Sequence, residues 1–139
     1  MKARKVGGFY LIRLEIGEEI AASLADFVRK QDIKSGWLLG IGAVNDVTLG
    51  IFDLKSRRYV KRTFRADHEL VSITGNVARL GRDPILHIHA LIADRRFRTF
   101  GGHLFSARCC VTVEVMLQPG TARLRRRPDP ETGLNLLAF

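Results

Sequence analysis

The chain is poor in the residues that staple, span or link. It has only two cysteines, Cys109 and Cys110, and a bridge between such immediate neighbours would demand geometry far from a normal disulfide. A disulfide scaffold is therefore excluded, and both thiols are expected to be reduced and buried in a strand. No apolar stretch approaches the length needed to span a bilayer, and Met1-Lys2-Ala3-Arg4-Lys5 leads into Val6-Gly7-Gly8 rather than into a signal-peptide core. A cytoplasmic location with no membrane partner is the expectation. Internal repeats, low-complexity tracts and linkers are also absent, so the 139 residues are expected to form one domain, residues 1–139, around one core.

Acidic residues are scarce. Fourteen Asp and Glu face 23 Lys and Arg, for a net charge of +9. The arginines cluster at Arg57-Arg58, at Arg95-Arg96-Phe97-Arg98 and at Arg123-Leu124-Arg125-Arg126-Arg127. An excess of this size attracts polyanions, nucleic acid above all. The candidate contacts are Arg95, Arg96, Arg98, Arg125, Arg126 and Arg127. No helix-turn-helix or other base-reading element accompanies them, so binding is expected to be non-specific.

The apolar pattern gives one helix and many strands. From Glu18 to about Gln31, Ile20, Leu24, Phe27 and Val28 recur at helical spacing, with acids at the start and Arg29 and Lys30 at the end, both matching the helix dipole. Phe9 to Leu14 reads as a first strand. Further strands are expected at Trp37–Ile41, Val47–Phe52, Arg58–Phe64, Leu70–Val77, Ile85–Ile92 and Ala107–Leu117, with turns at Gly42 to Asp46 and Leu80 to Asp83. Alternating charges in Arg58–Phe64 suit an exposed or edge strand. The expected fold class is α+β, a largely antiparallel sheet of six or more strands with one main packed helix.

Within the apolar run Pro84 to Ile92 stand His87 and His89. Side chains two apart on a strand share a face, and buried imidazoles need partners. A third imidazole, His103, follows Gly101-Gly102, where a turn can bring the backbone close to that strand. Three imidazoles with a fourth position open suit a divalent transition metal, zinc first. His68, in the polar stretch Arg65 to His68, is expected at the surface. Glu114, an acid inside Val111 to Met116, is expected to be buried beside an arginine or a histidine ring.

Taken in order, these pieces resemble one family along nearly the whole chain, the PPC (plants and prokaryotes conserved) domain. The resemblance is carried by Gly17-Glu18-Glu19-Ile20, Gly40 to Gly50, Glu69 to Asn76, Pro84 to His89, Gly101-Gly102-His103-Leu104 and Thr132-Gly133-Leu134. It implies a compact α+β fold, assembly as a homotrimer, and the stand-alone prokaryotic type, in which His87, His89 and His103 match the metal-binding histidines. Plant members carry AT-hooks resembling Arg-Gly-Arg-Pro. Here the nearest match is Arg125-Arg126-Arg127-Pro128, and Arg126 fills the position where glycine lets the hook enter the minor groove, so the hook is absent.

Two functions compete on these grounds. One is a homotrimeric binding or regulatory module with non-specific DNA binding and a three-histidine divalent metal site. The alternative is a zinc-dependent enzyme, a hydrolase or lyase acting on a small anionic substrate, in which zinc would activate water near neutral pH. No catalytic base is assigned; Glu69, Asp94 and Glu114 are candidates. A structural ion at a trimer interface is a third possibility.

Overall fold

The computed structural model describes residues 1–139. Nine strands and one helix follow in the order β1 (Lys2–Val6), β2 (Phe9–Leu14), α1 (Ile20–Lys30), β3 (Gly36–Asp53), β4 (Arg58–Phe64), β5 (His68–Leu80), β6 (Asp83–Ala93), β7 (Thr99–Pro119), β8 (Arg125–Pro128) and β9 (Asn135–Ala138). Every strand pairing is antiparallel except a single parallel rung between β5 and β8. The α+β reading with one main helix holds.

Ladders β3–β5, β5–β6, β6–β7 and β7–β3 form a closed circuit. Two long strands, β3 and β7, make this possible by pairing with different neighbours at their two ends. Gly42 to Asp46, expected as a turn, instead lies inside β3, where the register shifts against β7 between Gly42 and Val44 and again between Asn45 and Thr48. Glycine, asparagine and aspartate tolerate the bulge conformations that bend a strand without ending it, and Asp46 has φ 47°. Gly101-Gly102 is likewise strand rather than turn. A Cβ on Gly102 would lie 2.8 Å from the Gly50 carbonyl oxygen, so glycine serves close backbone approach there.

Burial alternates along β3, with Leu38 inside and Trp37, Leu39 and Ile41 outside. One face of the sheet joins the apolar stripe of α1, Ile20, Leu24, Phe27 and Val28, in a single core with Ile73, Ile88, Ile92, Val113 and Leu117. The helix begins two residues later than its acids suggest. Glu19 is its N-cap, accepting from the Ala22 amide at 2.6 Å and, through its other oxygen, from the Ala107 amide of β7 at 3.0 Å. One carboxylate thus caps the helix and ties it to the sheet.

Two expectations are corrected by burial. His68 is 8% exposed, its Nδ1 is 2.7 Å from the Ala66 carbonyl oxygen, and its ring packs edge-on against Phe64. Glu114 is exposed and faces Arg13 across β2–β7. In both cases strand parity decides which side the residue takes, and the polarity of its sequence neighbours does not. Cys109 is buried as expected, whereas Cys110, on the opposite side of the strand, is half-buried.

Candidate metal centre

In β6, Ile88, Ala90 and Ile92 point into the core, so His87 and His89 point out of it. The expectation that both rings are buried is therefore corrected. His87 is half-buried and His89 exposed, because the core takes the other parity of the same run. His103 of β7 lies directly opposite His89 in the β6–β7 ladder, which puts its side chain on the same face.

The three rings form a triangle, with centroids 5.0 Å (His87–His89), 5.2 Å (His87–His103) and 5.6 Å (His89–His103) apart. One ring nitrogen from each can be chosen so that all three lie within 4.8 Å of one another. A tetrahedral ion with Zn–N bonds of about 2.0–2.1 Å needs nitrogens about 3.3 Å apart, a closure within the reach of small ring rotations.

Burial foremost, then the charges of Arg126 and His89, lowers the His87 pKa. His103 is lowered to about 4, again by burial first, then by His87, His89, Lys61 and Arg126. Neutral imidazole is the form that ligates a metal. The buried Nδ1 of His103 has no hydrogen-bond partner. These three side chains thus fit a divalent ion with nitrogen ligands.

Around the triangle lie groups of a different kind. Tyr59 and Phe105 pack against His103 with centroids 5.1 Å and 4.9 Å away, and the Lys61 ammonium lies 3.7 Å above the Phe105 ring. Asn76 stands opposite His87 in the β5–β6 ladder and accepts a hydrogen bond from Arg126 Nη2 at 2.7 Å. No carboxylate belongs to the cluster. Among the candidate bases, Asp94 caps its own turn by accepting from the amides of Arg96 and Arg98, while Glu69 and Glu114 are exposed.

A model of the Plants and Prokaryotes Conserved (PCC) domain matches residues 1–121. The chain belongs to that family. Among solved structures, it is similar to a candidate DNA-binding protein from Bacteroides thetaiotaomicron, with 30% identity and a TM-score of 0.96 over 99% of this chain and 96% of that one. A metal-containing protein from Archaeoglobus fulgidus is 32% identical, with a TM-score of 0.89 over 97% and 96% of the two chains. Similarity also extends to the bifunctional protein GlmU of Synechococcus sp. (strain JA-3-3Ab), 30% identical over 128 residues. That match covers 89% of this chain and only 19% of the relative's length.

The predicted arginine contacts divide. Arg95, Arg96 and Arg98 are exposed at the β6–β7 turn, where Arg98 Nη2 pairs with Asp94 at 2.6 Å. Arg125 and Arg127 are exposed on β8. Arg126 is the exception and corrects the sequence reading, since it is 8% exposed and held by Asn76 and by the Asn135 carbonyl. Strand alternation in β8 turns it inward. No helix is long and apolar enough to cross a membrane.

Proposed function

We propose that this chain is a metal-binding PCC module that assembles as a homotrimer, holds a divalent ion at His87, His89 and His103, and associates with nucleic acid without reading its sequence. The observation that carries the proposal is the convergence of three imidazoles from two strands on one side of the sheet. Zinc is favoured by an all-nitrogen ligand set, and the metal-containing relative at 32% identity supports the reading. When bound, such an ion acts as a Lewis acid toward whatever takes the remaining position. The protein supplies orientation: strands β6 and β7 fix the three rings, and the exposed side of His89 leaves an approach from solvent. Elemental analysis of the purified protein tests it.

The homotrimer is supported by the outer sheet face, where Leu11, Leu39 and Ile41 stand exposed around a groove that also includes Met116. A contiguous apolar face of this kind marks an interaction site, and covering it between copies of one chain closes the assembly with rotational symmetry. Light scattering coupled to gel filtration is expected to give three times the 15.6 kDa chain mass, and Leu39→Asp to shift the protein toward the monomer. A monomeric wild type over a wide concentration range would count against the assembly.

Nucleic-acid association rests on Arg95, Arg96, Arg98, Arg125 and Arg127, on the net charge of +9, and on the relatives described as candidate DNA-binding proteins. Side chains that contact phosphates position a protein but carry no sequence information. Affinity for unrelated duplexes is therefore expected to be weak and nearly equal. Its logarithm should also fall linearly with the logarithm of salt concentration as counterions are released. A titration at several salt concentrations checks this, and tight binding to one sequence at physiological salt would refute it.

A second reading, a zinc-dependent hydrolase or lyase acting on a small anion, is favoured by one observation. A buried cation, Arg126, is hydrogen-bonded to Asn76, which stands opposite His87 in the β5–β6 ladder. The absence of a carboxylate from the cluster weighs against it.

A further inference from the structure

Arg126 is a cation held where nothing in the chain neutralises it. It is 8% exposed, yet its hydrogen bonds go only to neutral acceptors, the Asn135 carbonyl at 2.8 Å through Nη1 and Asn76 Oδ1 at 2.7 Å through Nη2. Its Nε is buried without a partner. A buried charge without a counter-ion is costly, and guanidinium groups in such places are ordinarily paired with carboxylate or phosphate. The surrounding field does not compensate. The neighbouring cluster holds no carboxylate, and the other charge near it is a second cation, the Lys61 ammonium over the Phe105 ring. Acidic side chains surround other arginines of this chain, as Asp32 does Arg79 and Asp94 does Arg98, so the omission is local to this site.

We propose that Arg126 is the anion-binding residue of the histidine site, and that the ligand is a small oxyanion, carboxylate or phosphate, held between the guanidinium and the ion at His87, His89 and His103. The inference rests on the metal reading for the second half of that grip and on Arg126 alone for the first. Asn76 has the positioning role. Its oxygen fixes the guanidinium plane from β5, directly across from His87. Short β8, which looks like surface from its sequence, is then the element that brings the charge to the site, and β9 holds it there through Asn135.

The two halves can be tested separately. Trp37, the only tryptophan of the chain, lies opposite Asn76 in the β3–β5 ladder, so its fluorescence reports on Arg126 without a metal. Metal-free protein is titrated with inorganic phosphate and with acetate at constant ionic strength, chloride serving as the screening control. Cobalt-loaded protein is titrated in parallel and followed by its visible absorption bands. Saturable binding is expected in both forms, tighter with cobalt, and about tenfold or more weaker in Arg126→Gln, the usual effect of losing a hydrogen bond to a charged group. The cobalt affinity of that variant should remain within a few-fold of wild type.

Equal anion affinities in wild type and Arg126→Gln would overturn the proposal while leaving the metal reading intact. Anion binding with no cobalt uptake would overturn the metal reading and leave Arg126 as the anion site. Should Arg126→Gln fail to fold, Asn76→Asp replaces it. That change supplies an internal counter-ion in place of the neutral amide, and it should weaken phosphate and acetate binding by about tenfold with the arginine still present. Unchanged affinity in Asn76→Asp would count against the assignment.

Discussion

Protein purified without chelator is expected to carry about one divalent ion per chain, and His87→Ala almost none. The three imidazoles contribute one nitrogen each, and a three-ligand site that loses one keeps too few donors to hold an ion against water. Even outer-shell partners of metal ligands are worth about 10–100-fold in affinity, so removing a direct ligand should cost at least about 100-fold. His68→Ala is the matched control. That histidine is buried against Phe64 and away from the cluster, and its loss should leave the metal content unchanged. Elemental analysis of the three proteins decides the matter. Equal metal in wild type and His87→Ala, or none in either, would remove the basis for a metal site.

The second large effect is expected from one methyl group at Gly75. An added Cβ there would lie 2.3 Å from the His87 carbonyl oxygen and 3.0 Å from Ile88 Cα, both backbone atoms of the adjoining strand. A flexible side chain could swing aside, but a paired strand cannot. Overpacking of this kind costs about 1–3 kcal/mol or more, and the clash is with β6 itself, so the upper end is expected. The fall in Tm should then be on the order of 10 °C. Gly75→Ala should also weaken metal binding by displacing His87. Gly8→Ala, with nothing within 4 Å of the new Cβ, should stay within about 0.5 kcal/mol of wild type. Thermal unfolding of both variants provides the comparison, and equal midpoints would show that the strands can part without cost.

Much of the site was legible because a strand has the simplest period in protein structure. The H-x-H spacing alone put His87 and His89 on one face, whichever face the core chose. Choosing that face was the harder step. The run from Pro84 to Ile92 is apolar at nearly every position because the outer face of this sheet is also apolar, as Leu39, Ile41 and Leu91 show, so alternation of polarity was masked. His103 joins the other two by strand pairing, opposite His89 in the β6–β7 ladder. Gly102 before it admits a neighbouring backbone at Gly50, and neither Gly101 nor Gly102 forms a turn.

Arg126 was the least legible. Four adjacent basic and apolar letters in β8 give no measure of burial, and the strand is short enough that the tertiary contacts of Asn76 and Asn135 alone set its side. Helix α1 was nearly complete in sequence, but the function of Glu19 as a joint between cap and sheet depends on Ala107, 88 residues away. Long-range hydrogen bonds of that sort leave no local signature.

The β6–β7 ladder runs from the rung Ala93–Thr99 to the rung His89–His103, and it closes the circuit of strands. An ion shared by His87, His89 and His103 would cross the last rung of that seam. Fraying there would take His103 away from His87 and His89, which stay together on β6, so a bound ion would favour the closed seam. Occupancy of the site would then be read in the backbone, as slower amide hydrogen exchange at Gly101 to His103 in the metal-loaded protein than in the metal-free one.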